Sequence, residues 1–239
     1  MLQPRDRLIV ALDVPSASQA RQIVQTIGEA ALTYKIGKQL FTAEGPQVVR
    51  DLVSSGRKVF LDLKFHDIPN TVAGAVKSAA ELGVSMVTVH ASGGSKMLKA
   101  AVDAASQSAA RPTVLAVTVL TSLSDSDLQE LGVSGNMASQ ALRLGTLARN
   151  ARCGGLVASA QEARVLRREL GEGFAIVTPG IRPVGSASGD QARVGTPADA
   201  IAAGATYLVV GRPILDAPNP AKAAEEIVTD IEQAVAVAG

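Results

Sequence analysis

Apolar runs of strand length recur along the chain and alternate with stretches patterned as helices. Eight runs stand out: Arg7–Asp13, Leu32–Gly37, Lys58–Lys64, Val84–His90, Thr113–Val119, Cys153–Ala158, Phe174–Thr178 and Thr206–Val210. They are rich in Val, Ile and Leu, the composition of strands covered on both faces. The stretches between them are Ala-rich and carry helix punctuation. Ser16 and Ser18 stand where the first helix needs a cap, and Ser92 stands ahead of a later one. Pro69, Pro197 and Pro220 suit first helical turns. Gly56, Gly83, Gly171 and Gly204 each fall between a helical stretch and the next strand, as C-terminal caps do. Repeated strand–helix units with short connections predict a parallel sheet with right-handed crossovers. Eight units in 239 residues predict an α/β fold, a (β/α)8 barrel forming a single domain over 1–239. A doubly wound open sheet is the alternative. No composition shift marks a linker, and no internal repeat is visible. The longest stretches without pattern are about 120–136 and 182–195. The second is rich in Gly and Ser and reads as a mobile loop.

Composition narrows the class. Hydrophobic residues make up 47% and charged residues 19%, and the mean hydropathy is +0.22. A chain of that kind buries a sizeable core and is not disordered. No apolar run approaches the ~18 residues of a membrane span, and the start lacks the layout of a signal peptide. The 23 basic and 22 acidic residues leave a net charge of +1, and aromatics are 3% with no Trp. A nucleic-acid binder needs more positive charge and more stacking surface, so neither nucleic acid nor membrane is expected as a partner. Cys153 is the only cysteine. It rules out a disulfide framework and a thiolate metal cluster, fits a cytoplasmic protein, and reads as a small buried hydrophobe.

In a barrel of this type the active site lies at the C-terminal ends of the strands. Those ends hold Asp13 after the first strand, Lys35 on the second, and Asp62, Lys64, His66 and Asp67 on and after the third. His90 ends the fourth, and Thr121 and Ser122 follow the fifth. Pro179-Gly-Ile-Arg182 follows the seventh, and Gly211-Arg212 the eighth. Charges mark strand ends in any barrel, because solvent begins there. Here, however, Asp13, Lys35, Asp62 and Lys64 gather at one mouth. Asp62 and Lys64 are two apart, so a strand turns both to one side, while Leu61, Leu63 and Phe65 face the other. Buried ions need neutralising, and alternating lysines and carboxylates supply it. The loops after strands seven and eight often bind phosphate. Gly211 would let the backbone approach, and Arg212 would grip phosphate oxygens through two N–H groups, with Arg182 nearby.

Asp13, Lys35, the run Asp62-Leu-Lys-Phe-His-Asp-Ile-Pro-Asn-Thr71, Leu120-Thr-Ser122, Pro179-Gly-Ile-Arg182, Gln191 and Gly211-Arg212 together resemble the orotidine 5′-phosphate decarboxylases of the bacterial monofunctional type. The match runs nearly end to end, and no family residue is missing. The resemblance implies conversion of orotidine 5′-monophosphate to uridine 5′-monophosphate and carbon dioxide, the last step of de novo pyrimidine synthesis. It also implies a homodimer with no metal and no organic cofactor. Lys64 is then the proton donor to C6, and Asp62 sits beside the departing carboxylate. Lys35 and Asp13 hold the ribose hydroxyls. Asp67, Ile68 and Thr71 are substrate-site residues, Asp67 and Thr71 acting in the neighbouring subunit's site. Thr121 reads the pyrimidine edge, and Gln191 links the loop to base and phosphate. Arg182, Gly211 and Arg212 belong to the phosphate end, and Pro179 is a further substrate-site residue.

Other polar groups have plainer expectations. His66 and His90 lack metal-ligand spacing and are expected to make structural hydrogen bonds. Arg164, Arg167 and Arg168, like Lys77, Lys96 and Lys99, are expected on solvated helix faces. Asp125 and Asp127 suit a helix start. Three other functions compete. A magnesium-dependent sugar-phosphate decarboxylase such as a keto-gulonate phosphate decarboxylase shares Asp62, Lys64 and Asp67, but Lys35 opposes a cation there. A Schiff-base aldolase wants a neutral lysine, whereas Lys64 is flanked by carboxylates that favour its ammonium form. A silent nucleotide-binding barrel would have lost a member of the charged set.

Overall fold

The computed structural model describes residues 2–183 and 195–238. Within them all eight predicted strands form: β1 Leu8–Ala11, β2 Thr33–Gly37, β3 Lys58–Phe65, β4 Met86–His90, β5 Thr113–Val117, β6 Gly155–Val157, β7 Ala175–Thr178 and β8 Tyr207–Val210. Each pairs in parallel with its neighbours, and β8 returns to β1 to close the barrel. The open-sheet alternative is thereby excluded. The helices are α1 Ala17–Ile27, α2 Lys38–Glu44, α3 Gln47–Ser54, α4 Pro69–Glu81, α5 Gly94–Ser106, α6 Asp125–Glu130, α7 Met137–Asn150, α8 Ala160–Leu170, α9 Pro197–Ala202, α10 Arg212–Leu215 and α11 Pro220–Ala238.

The local signals explain most boundaries. Ser16 caps α1 by accepting from the Gln19 N–H, which satisfies one of the helix's orphan donors. Pro69 and Pro197 open α4 and α9, where a missing N–H costs nothing. Ser92 is not a cap. It lies in a single 3₁₀ turn, Ala91–Gly93, and the residue before α5 is Gly93. The patternless stretch around 120–136 contains the short helix α6. Ser124 starts it through a capping box with Asp127, and Asp125 accepts from the Met137 N–H that opens α7.

Two apolar clusters follow from the strand pleat. Residues facing outward, such as Val10, Leu61, Val87 and Leu208, pack with the helices into one large cluster. Residues facing inward form a separate plug of Ile9, Ala11, Phe60, Met86, Leu115, Val177 and Val209. Phe60 is 1% exposed, so truncating it to Ala should cost about 3–5 kcal/mol. The plug fills the barrel below its mouth and gives the residues above it an apolar floor. No described helix is long and apolar enough to cross a membrane.

Candidate active site

Above the plug, the strand ends surround a cavity of about 950 Å³. Asp13, Lys35, Asp62 and Lys64 all line it, and they form a chain of alternating charge. Lys35 Nζ lies 2.8 Å from Asp13 Oδ1 and 3.9 Å from Asp62 Oδ2, and Lys64 Nζ lies 2.7 Å from Asp62 Oδ2. Exposure follows depth: the Lys35 and Asp62 side chains are 11% and 12% exposed, Lys64 25%, and Asp13 55%. The pairing is what makes this burial tolerable, since an isolated ion there would cost several kcal/mol. Burial alone would raise the pKa of Asp62. The charges of Lys64 and Lys35, with hydrogen bonds from Lys64 and Thr88, more than reverse that and hold the carboxyl below its ordinary value.

Strand register places these groups. Lys35 on β2 stands opposite Ala11 of β1 and Phe60 of β3, and Gly37 stands opposite Asp62. A Cβ on Gly37 would come within 3.0 Å of Lys35 Nζ and 3.2 Å of Asp13 Oδ1. A side chain there would push that ion pair apart, so Gly37 belongs to the site although the sequence reading passed over it.

As expected, Leu61, Leu63 and Phe65 turn toward the helices while Asp62 and Lys64 turn inward. The route is not a plain strand, however. The β3–β4 pairing jumps from Leu61↔Val87 to Phe65↔Val89, and Lys64 has a left-handed backbone with φ 54°. That conformation costs an ordinary residue about 1–2 kcal/mol. The Lys64 N–H donates to Thr88 Oγ1 at 2.9 Å, and that hydroxyl donates to Asp62 Oδ1 at 3.0 Å. Thr88 is a second residue absent from the sequence reading. Its only signal was the phase of β4, which turns Met86, Thr88 and His90 to the inside.

Thr121, Pro179, Arg182, Gly211 and Arg212 line the cavity as well. Arg182 is buried and donates to the Ile181 carbonyl, while Arg212 is exposed. A Cβ on Gly211 would meet only Ala11 and Asp13, at 3.5 and 3.8 Å, so the space that Gly211 leaves open belongs to the cavity mouth. Asp67, Ile68 and Thr71 do not line the cavity of their own chain. They are exposed where β3 passes into α4, Ile68 at 67%. Gln191 and most of the 182–195 stretch lie outside the described residues.

The histidines differ from expectation. His66 and His90 meet ring to ring, with centroids 5.4 Å apart, and among the described residues neither side chain makes the structural hydrogen bond expected of it. Burial, with the nearby His66, Lys64 and Lys38, pushes His90 down to about 4. Cys153 is buried as expected, and burial pushes its thiol up to about 12. Arg164, Lys77, Lys96 and Lys99 are exposed. Arg167 is not: it donates to the carbonyls of Gly204, Gly171 and Phe174 and to Thr206 Oγ1. Among the described residues no group of three His, Cys, Asp or Glu side chains could hold a metal ion.

The sequence model of the orotidine 5′-phosphate decarboxylase / HUMPS family matches residues 6–227. The chain belongs to this family. It is 52% identical over 225 residues to orotidine 5′-phosphate decarboxylase of Idiomarina loihiensis, covering 94% of this chain and 97% of that one. It is 54% identical over 214 residues to that of Alkalilimnicola ehrlichii, covering 90% and 91%. The crystal structure of orotidine 5′-phosphate decarboxylase from Lactobacillus acidophilus superposes with a TM-score of 0.84 at 39% identity, covering 95% of this chain and 99% of that chain.

Proposed function

We propose that this chain decarboxylates orotidine 5′-monophosphate to uridine 5′-monophosphate, with Lys64 as the proton donor. The observation that carries the reading is the Asp13–Lys35–Asp62–Lys64 chain in the barrel mouth, in a protein about half identical to curated decarboxylases over nearly its whole length. The bond from C6 to the carboxylate breaks, carbon dioxide leaves, and the electron pair stays on C6. The ring offers that pair no ordinary electron sink. An ammonium held by Asp62 and facing C6 stabilises the charge as it develops, then gives up its proton to form the C6–H bond. Solvent restores the Lys64 proton after product leaves.

In this reading Asp13 and Lys35 hold the ribose hydroxyls, and Thr121 meets the pyrimidine edge. Arg182, Gly211 and Arg212 serve the phosphate end, Gln191 meets base and phosphate, and Pro179 is a further substrate-site residue. Phosphate binding is remote from C6, so its energy is available for closing the site around the base. Asp67, Ile68 and Thr71 serve the site of a second copy of the chain, which their exposure in the single chain permits. The reaction closes pyrimidine synthesis and belongs in the cytoplasm, which the lone buried thiol suits. A magnesium-dependent decarboxylase of the same family fits less well, because the Lys35 ammonium lies between Asp13 and Asp62, where a divalent ion would have to sit.

The test is direct. Purified protein mixed with orotidine 5′-monophosphate and excess EDTA should release carbon dioxide and form uridine 5′-monophosphate. Activity that vanishes with chelator and returns with magnesium overturns the reading.

A further inference from the structure

Thr88 sits at the hinge between the backbone of Lys64 and the carboxylate of Asp62. It is completely buried on the inner face of β4. Its neighbours on that face are Met86 in the apolar plug and His90 at the mouth. Across from it, β3 advances from Leu61 to Phe65 while β4 advances only from Val87 to Val89. The extra chain length on β3 contains Asp62 and Lys64. A bulged strand leaves backbone groups without ladder partners, and a buried N–H without an acceptor is expensive. The Thr88 hydroxyl takes the place of the missing ladder acceptor for the Lys64 N–H, at 2.9 Å. A hydroxyl has one proton to give, and here it goes to Asp62 Oδ1 at 3.0 Å. The other oxygen of Asp62 faces Lys64 Nζ at 2.7 Å.

We propose that Thr88 is a positioning residue for the reaction: one hydroxyl holds the left-handed turn at Lys64 and fixes the rotation of Asp62, and so aims the ammonium. The proposal rests on the reading of Lys64 as the proton donor. Thr88 does not line the cavity, so it acts through Lys64 and Asp62 and not on the substrate. Losing it leaves the Lys64 N–H unsatisfied and frees the Asp62 carboxylate to rotate about its bond to Lys64. The ion pair survives but its direction is no longer fixed. A loose ammonium costs transition-state stabilisation more than it costs ground-state binding.

Three variants test this: Thr88→Val keeps the shape without the hydroxyl, Thr88→Ser keeps the hydroxyl without the methyl, and Thr88→Ala lacks both. Thr88→Val should lower kcat about 10- to 100-fold, the range for a hydrogen bond to a charged group. KM for orotidine 5′-monophosphate and the affinity for uridine 5′-monophosphate should stay within about threefold of wild type. The acidic limb of its kcat profile should move to higher pH, because Asp62 has lost one bond to its ionised form. Thr88→Ser should recover kcat to within about threefold of wild type. If Thr88→Val does not fold, the comparison of Thr88→Ala with Thr88→Ser carries the same test. Hydroxyl-free variants with wild-type kcat, a loss confined to KM, or a serine variant as slow as folded valine or alanine variants would overturn the proposal while leaving the decarboxylase reading standing. Wild-type protein unable to decarboxylate orotidine 5′-monophosphate would overturn both.

Discussion

Lys64 holds a backbone conformation that residues with a Cβ avoid, and two truncations can measure what that costs. Lys64→Ala and Lys64→Gly both remove the ammonium and leave Asp62 with Lys35 and Thr88 as partners. Those losses cancel when the two variants are compared, and the backbone difference remains. At φ 54° an alanine pays about 1–2 kcal/mol against the right-handed alternative, and glycine pays none. Glycine loses about 0.5–1 kcal/mol through its greater freedom in the unfolded chain. The balance favours Lys64→Gly by about 0.5–1 kcal/mol, equivalent to about 1–4 °C in Tm for a chain of this size. At an ordinary strand position the order is reversed. Urea denaturation followed by circular dichroism, with thermal melts alongside, reads the difference. Both variants should lose turnover by at least about 10⁴-fold, because donor and electrostatic stabiliser are gone together. An alanine variant as stable as the glycine variant, or more so, would show that the Lys64 backbone is not left-handed.

Arg212→Ala should weaken binding of orotidine 5′-monophosphate by about 2 kcal/mol, the low end for a truncated charge pair because Arg212 stands exposed. Orotidine lacking the phosphate should bind both proteins alike, and equal losses on the two ligands would place Arg212 elsewhere. Mixing inactive Lys64→Ala chains with inactive Asp67→Ala chains should restore about one quarter of the sites, since random exchange makes about half the dimers mixed and each mixed dimer has one site with neither defect. Subunit exchange verified by mass spectrometry without returning activity would refute the shared site. His90, held neutral down to about 4, should make the fold less stable as pH falls from about 6.5, because the unfolded chain takes up that proton first. Discounted for its partial exposure, the loss between pH 7 and pH 5 is about 1 kcal/mol. His90→Gln should lose less stability than wild type over that interval in paired denaturation curves, and identical slopes would contradict the shift.

The barrel was legible because its strands are long apolar runs at regular spacing, the pattern of a parallel sheet covered on both faces, while the closure that separates a barrel from an open sheet came from the pairing of β8 with β1. The charged mouth was legible for a related reason: Asp62 and Lys64 interrupt an apolar strand with the period of the pleat. What local pattern could not reveal was how β3 accommodates them. A register jump depends on the partner strand, and nothing within Asp62–Thr71 announces that Lys64 turns left-handed or that Thr88 supports it. Arg167 was hidden for the same kind of reason. Three arginines on one helix look alike in sequence, and only the approach of the α9–β8 turn separates the buried one from its neighbours.

Arg167 also separates two tasks along the chain. Its guanidinium gathers carbonyls from the end of α8, the approach to β7 and the turn before β8, with Thr206 as a further acceptor. All of these lie at the end of the barrel away from the mouth. The seventh and eighth strands are therefore tethered at their roots by contacts that involve no residue of the mouth. Exposed residues at the mouth, Arg212 among them, can then be substituted by drift or by a laboratory library without touching those tethers. A lineage adapting to a differently shaped phosphorylated ligand would find its raw material there, and would be expected to leave Arg167 alone.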